Sequence, residues 1–141
     1  MTYVDAYLQS RVLGADPVEL ILMLYERAIV SLNIAKESIL GGVDDPELLK
    51  RKATELGRAT NIIYYLHDTL DRERGGQIAD NLATIYSILT EELVRANLFN
   101  DVEIISKCIS ILNNLKASWE DVKKEMREKQ NAERKSIAAA V

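Results

Sequence analysis

One cysteine, one histidine, one tryptophan and one phenylalanine are spread over 141 residues, with only two prolines and six glycines. Each scarcity removes a class of protein. Cys108 alone cannot close an internal disulfide, and with His67 as the single histidine there is no Cys/His set from which to build a zinc site. A di-iron helical bundle needs Glu-x-x-His on two helices, which one histidine cannot supply. Low proline and glycine set the chain apart from collagen-like and low-complexity sequences. No apolar run exceeds the six residues Leu20 to Tyr25, far short of the roughly 20 needed to cross a bilayer. Met1-Thr-Tyr-Val-Asp5 has no basic region leading into an apolar block, so no signal peptide is expected and the expected location is cytoplasmic. The net charge is -4 with both signs interspersed. Nucleic-acid binding would ask instead for Lys and Arg gathered on one face.

What is present is mostly helix. Asp16-Pro17-Val18-Glu19 and Asp45-Pro46-Glu47 each place an aspartate where it can accept from orphan amides, with proline at the first helical position. Gly41-Gly42 and Gly75-Gly76 predict helix stops. Asn97-Leu98-Phe99-Asn100 predicts a further break, with Asp101 as the next cap. The resulting long helices run from about Pro17 to Leu40, Pro46 to Asp71, Gln77 to Ala96 and Val102 to Lys129, after a short segment Tyr3 to Val12. Periodicity agrees. Ile78, Leu82, Ile85, Leu89, Leu93 and Ala96 make one stripe on the third helix, and Leu49, Leu56, Ile63 and Leu70 recur every seven residues around the second. The predicted fold is all-α, an antiparallel up-and-down four-helix bundle with a short N-terminal helical segment. Residues 1–129 form its single domain, including a cap segment at 3–12, and 130–141 lose the apolar stripe and are expected to form a flexible tail.

Two helices carry more apolar surface than one core face requires. At about 100° per residue, six successive apolar residues encircle a helix, so Leu20 to Tyr25 cannot all face one side. On the first helix Ile21, Tyr25, Ala28, Ile29 and Leu32 share one flank, and Leu20, Met23, Leu24 and Ile34 the other. The last helix pairs a stripe of Val102, Ile105, Ile109, Leu112, Trp119, Val122 and Met126 with a second of Ile104, Cys108, Ile111 and Leu115. The excess is covered either by the N-terminal segment, through Tyr3, Val4, Tyr7, Leu8 and Val12, or by a partner's amphipathic segment. Six tyrosines against one Phe99 point the same way, since a tyrosine joins an apolar ring to a hydrogen-bonding tip suited to wet interfaces. Adjacent Tyr64 and Tyr65 cannot both enter one narrow core. Candidate binding residues are therefore Tyr7, Leu8, Val12, Leu20, Met23, Leu24, Tyr64, Tyr65, Tyr86, Ile104, Ile111 and Leu115.

Catalytic residues, metal ligands and cofactors are not expected. The glycine pairs lack the lysine and spacing of a phosphate loop. Acidic pairs such as Glu91-Glu92 suit a solvated surface. Two alternatives remain open on the residues alone. One is a histidine phosphotransfer bundle using His67, although Leu66-His67-Asp68-Thr69-Leu70 offers no lysine to stabilise a phosphoryl group. The other is a generic helical adaptor that forms a dimer.

Several motifs in order carry a more specific likeness. Tyr7-Leu8-Gln9, then Ala15-Asp-Pro-Val-Glu-Leu-Ile-Leu-Met-Leu-Tyr25 with Ala28-Ile29, then Leu70-Asp71 with Gly75-Gly76-Gln-Ile-Ala79, Asn81-Leu82 and Tyr86, and finally Ala96-Asn97 and Asp101, resemble the flagellar export chaperone family FliS. The likeness covers roughly Tyr3 to Val122. It departs from the family at Glu26-Arg27, where Asp-Gly is frequent, and at Ile88, where a second aromatic often follows the tyrosine. The resemblance implies a non-enzymatic cytoplasmic chaperone that binds the disordered C-terminal region of flagellin, prevents premature polymerisation and assists delivery to the flagellar type III export apparatus. An export-gate component is a further implied partner, and the chaperone itself would be a monomer or weak homodimer. It also implies that Tyr7, Leu8 and Val12 belong to a movable cover over part of the binding surface.

Overall fold

A computed structural model describes residues 17–140 as four helices: α1 (Pro17–Gly41), α2 (Pro46–Asp68), α3 (Arg72–Phe99) and α4 (Val102–Ala140). Tyr7, Leu8, Val12 and the rest of the predicted N-terminal segment lie outside the described residues. Local chemistry sets the boundaries. Asp45 accepts from the amides of Glu47 and Leu48 to open α2, and Asp101 accepts from the Ile104 amide at 3.1 Å to open α4. The α1–α2 turn uses Gly42 at φ +140°, a conformation that costs glycine little and a side chain much. At the end of α3, Asn100 takes a left-handed conformation. Its side chain and the Asn97 carbonyl accept from Lys52 Nζ at 2.7 and 3.0 Å. Lys52 is thereby buried on α2 with its charge against the carbonyl end of α3, where a cation is favoured.

Three boundaries differ clearly from the expectation. Helix α2 ends at Asp68: Thr69 leaves the helical conformation at φ -91°, ψ 1°, and its backbone amide and its hydroxyl both donate back to the Tyr65 carbonyl at 3.0 Å. The glycine pair is not a stop between helices but a kink inside α3: Asp71 caps a first turn, then Gly76 adopts φ 51°, ψ -128° before the helix resumes. At the other end α4 continues through Ala140 where fraying is expected after Lys129, and every residue from Lys124 to Ala140 is exposed. The segment 130–140 contains no glycine or proline and is rich in good helix formers, so local propensity extends the helix beyond any packing partner.

The helices pack in a closed ring, α1 on α2, α2 on α3, α3 on α4 and α4 on α1, as an up-and-down bundle requires. The α1–α2 seam is the most extensive and α3–α4 the least. Small buried residues Ala28, Ser31, Ala35 and Ser38 recur along α1 at helical spacing, and Ala59 is buried on α2, which suits close approach of backbones. Two ion pairs lock the α1–α4 register: Lys123 to Glu19 at 3.2 Å and Lys116 to Glu26 at 3.3 Å, seven residues apart on each helix. Both are partly exposed and add little individually. The core joins Leu24, Leu32, Leu56, Ile63, Leu89, Leu93, Ile105 and Leu112, all nearly inaccessible. Leu112→Ala should therefore lower unfolding stability by about 2–5 kcal/mol in urea titrations, whereas Ile137→Ala, on the overhanging end of α4, should change it by less than about 0.5 kcal/mol.

Candidate apolar groove between the third and fourth helices

The weakest seam of the bundle opens into a groove. Between α3 and α4, Ile78, Leu82, Leu115, Trp119 and Val122 surround a cavity of about 270 Å3 whose only polar lining comes from Asn81 and Ser118. It adjoins a second cavity of about 360 Å3 that shares Ile78, Leu82 and Trp119 and extends to Leu66 near the end of α2 and Leu70 just beyond it, with Tyr86 among its lining residues. The cause is visible in the sequence. Asn81 and Ser118 are short polar side chains at facing positions, so nothing large bridges the two helices there. Gly76 breaks α3 just before Ile78, and α4 runs on past the start of α3. Ile78, a member of the predicted core stripe, is left 72% exposed.

Behind the groove lies the polar centre of the molecule. The hydroxyls of Tyr25 on α1 and Tyr86 on α3 are hydrogen-bonded to each other across the diagonal of the bundle, and Trp119 Nε1 on α4 donates to Tyr25 Oη at 3.2 Å. Three helices are tied at one point. Burial pushes the Tyr25 phenol above its ordinary range against the opposing pull of its two hydrogen bonds. Tyr86 rises further, because burial is joined by the proximity and hydrogen bond of Tyr25. Desolvation penalises the phenolate in each case.

The candidate binding residues sort unequally. Leu115 forms one wall of the groove, and Ile111, 37% exposed, sits one turn earlier on the same helix. Ile104 is half-buried two turns further up that line. Tyr86 belongs to the groove but is buried. Leu20 and Leu24 are buried in the core and offer no surface, because α1 packs against both α2 and α4 and each neighbour covers one flank. Met23 escapes this and lies elsewhere, in a cleft between α1 and α4 rimmed by Glu19, Glu26, Lys123 and Arg127. Tyr64 is exposed on α2 away from the groove. Tyr65 is half-buried against the core, its hydroxyl without a hydrogen-bond partner. His67 is half-exposed at the end of α2, with Nδ1 3.4 Å from its neighbour Asp68. Ile78, Leu82, Trp119 and Val122 are groove residues that core periodicity assigns to the interior. The missed signal is the small polar pair, Asn81 and Ser118, beside their stripes.

Comparison with known proteins places this arrangement. The sequence profile of the family described as Flagellar protein FliS matches residues 1–126. The chain belongs to the FliS family. It is 33% identical over 121 residues to the flagellar secretion chaperone FliS of Salmonella typhimurium, covering 85% of this chain and 86% of the relative. Flagellar secretion chaperone FliSB of Pseudomonas aeruginosa is 30% identical over 120 residues, covering 85% and 91%. The FliS of Bacillus subtilis is 32% identical over 114 residues, covering 81% and 80%. FliS is a family of chaperones, not of enzymes. Among the described residues no helix is long and apolar enough to cross a membrane.

The tyrosine pair gives the FliS fold here a defined alkaline limit. Both phenols stay protonated in the folded state above the pH, about 10, at which an unfolded tyrosine ionises. A raised folded-state value means that the native state holds protons the unfolded chain has released, so this contribution is complete below about pH 10 and is lost as pH rises beyond it. Ultraviolet titration of tyrosinate should show two phenols that ionise only together with the loss of helical circular dichroism.

Proposed function

We propose that this chain is a cytoplasmic export chaperone that holds the disordered C-terminal region of flagellin, keeps the subunit from polymerising prematurely and assists its delivery to the flagellar type III export apparatus. The observation that carries the reading is the apolar groove left open between α3 and α4. Exposed apolar surface of this kind on a folded bundle suits the apolar face of a partner helix. Membership of a family of flagellar secretion chaperones supports a flagellar partner.

The physical demand on such a chaperone is a large wrapped area. A disordered segment loses conformational entropy when it orders, so several apolar anchors must offset that loss. The outer line of α4 supplies them: Ile104, Ile111, Leu115 and Val122, with Trp119 and Ile78 at its lower end. Met23, Tyr64 and Tyr65 extend the contact around α1 and α2 if the guest wraps the bundle. Tyr7, Leu8 and Val12 act as the cover that the guest displaces. Capture then caps the residues that flagellin would otherwise use to pack against its neighbours. An export-gate component recognises the loaded complex, and the unloaded chaperone is a monomer or weak homodimer.

Calorimetry with flagellin from the same organism tests this directly. A one-to-one complex is expected, abolished by deleting the flagellin C-terminal region. Leu115→Asp, half-buried on the groove wall, should weaken the complex at least tenfold while helix content is retained. Undiminished binding to the truncated flagellin would reject the reading.

A further inference from the structure

Two adjacent glycines near the start of α3 serve different ends. Gly76 takes φ 51°, ψ -128°, a backbone conformation that L side chains rarely adopt, and so breaks α3 one turn after its Asp71 cap. Gly75 is there for closeness. A Cβ at this position would stand 2.6 Å from the Ala79 Cβ, so a bare backbone is what lets the first turn fold down against the buried Ala79.

The turn placed in this way, residues 71–75, is weakly fastened. One ladder bond joins the Gly75 amide to the Asp71 carbonyl at 2.8 Å, and the Asp71 side chain accepts from the Arg74 amide at 3.1 Å. Across the kink, Arg72 Nε and Asp80 Oδ1 tie the turn to the body of α3, 3.5 Å apart and both well exposed. An exposed ion pair stabilises little, and a single helical turn does not persist by itself in water. Every residue from Asp71 to Ile78 is exposed. Local opening of such a segment costs little free energy.

Its position gives that freedom a role. Asp71, Arg74 and Gly75 form one bank of the larger cavity, whose other walls, among them Leu66, Leu82, Tyr86 and Trp119, stand on packed helices. At about 360 Å3 this cavity has the capacity of a sphere about 9 Å across, narrower than the roughly 10–12 Å of a helix with its side chains. A guest helix that continues down the groove past Ile78 and Trp119 therefore needs more room. The bank hinged at Gly76 yields at low cost, whereas parting the core helices would open a close-packed interior.

We propose that residues 71–75 are a strap at the lower mouth of the groove, hinged at Gly76 and latched by Arg72 to Asp80, which swings outward to admit the flagellin segment and is held out while the segment is bound. This rests on the reading that the groove receives such a segment. In the free chaperone the latched strap narrows the mouth and lies against Ala79. On binding, the exposed ion pair is exchanged for buried apolar contact with the guest. The floor stays rigid while one bank adjusts to the guest's bulk.

Paired labels on the full chain read the motion. Glu73 on the strap and Glu91 on the body of α3 are both exposed, and Cys108 is buried with its thiol pushed up to about 11, so Glu73→Cys with Glu91→Cys takes spin labels selectively. The distance between the labels should lengthen when the C-terminal region of flagellin from the same organism is added. A distance unmoved with the segment bound overturns the inference and leaves the flagellin reading standing. In a second variant, Arg72→Cys with Asp80→Cys, joining the two thiols through a short bis-maleimide holds the strap closed. Joining should weaken binding at least tenfold in calorimetry with helix content unchanged, and equal affinity before and after joining likewise overturns the inference. Should the joined variant lose helix content, the label distance decides. Failure of the unmodified chain to bind the segment overturns both.

Discussion

A pair of phenols facing each other across a bundle diagonal fixes the geometry of everything around it. Tyr25 and Tyr86 belong to helices that are not neighbours in the ring, and their hydroxyls meet in the middle. A hydroxyl taken out of water must find a partner, so α1 and α3 are held at the separation that lets these tips touch. Leucine pairs would allow the helices to slide and repack at small cost, whereas a directional bond does not. The indole of Trp119 joins the same point from α4. That draws the lower half of α4 toward α1, where the two Glu–Lys pairs also hold it, and leaves it turned away from α3. The groove is the space this preference leaves behind.

Seen this way, the site and the core are not separate constructions. Trp119 presents part of its surface to the groove and its nitrogen to the interior. Leu82 is buried at the edge of the core and also lines both cavities. Rigid floor and apolar walls come from the same side chains that stabilise the fold, so the binding surface is preformed on helices rather than assembled from loops. Such preorganisation lowers the ordering cost on the chaperone side and leaves the guest to bear most of it.

Much of the architecture is legible in the amino-acid sequence. Asp45-Pro46 and Asp101 mark helix starts because capping is a local event, settled within four residues. Gly41-Gly42 ends α1 for the same reason. Gly75-Gly76 is harder: two glycines permit a stop or a kink, and which occurs depends on Asp71 capping a further turn ahead of them. The site is less legible, since period-3.6 patterns show that a residue faces other apolar groups without showing whose they are. Leu20 and Leu24 look like surplus surface until α2 and α4 are seen to close on both sides of α1. Ile78 and Val122 look like core until the helices part around them. Tyr86 combines both difficulties, being buried and yet part of the groove. Distinguishing these cases needs the spacing between helices, a tertiary quantity that no single helical wheel contains.

The overhanging end of α4 has a consequence of its own. From Lys124 to Ala140 the helix touches no core and is sustained by its own backbone ladder and side-chain propensity. A helical stretch of this length on its own is marginal in water and gains its order gradually rather than all at once. Optical helicity and cooperative unfolding are therefore two different quantities in this molecule, the first including a segment that melts by degrees and the second reporting only the part tied together by the tyrosines.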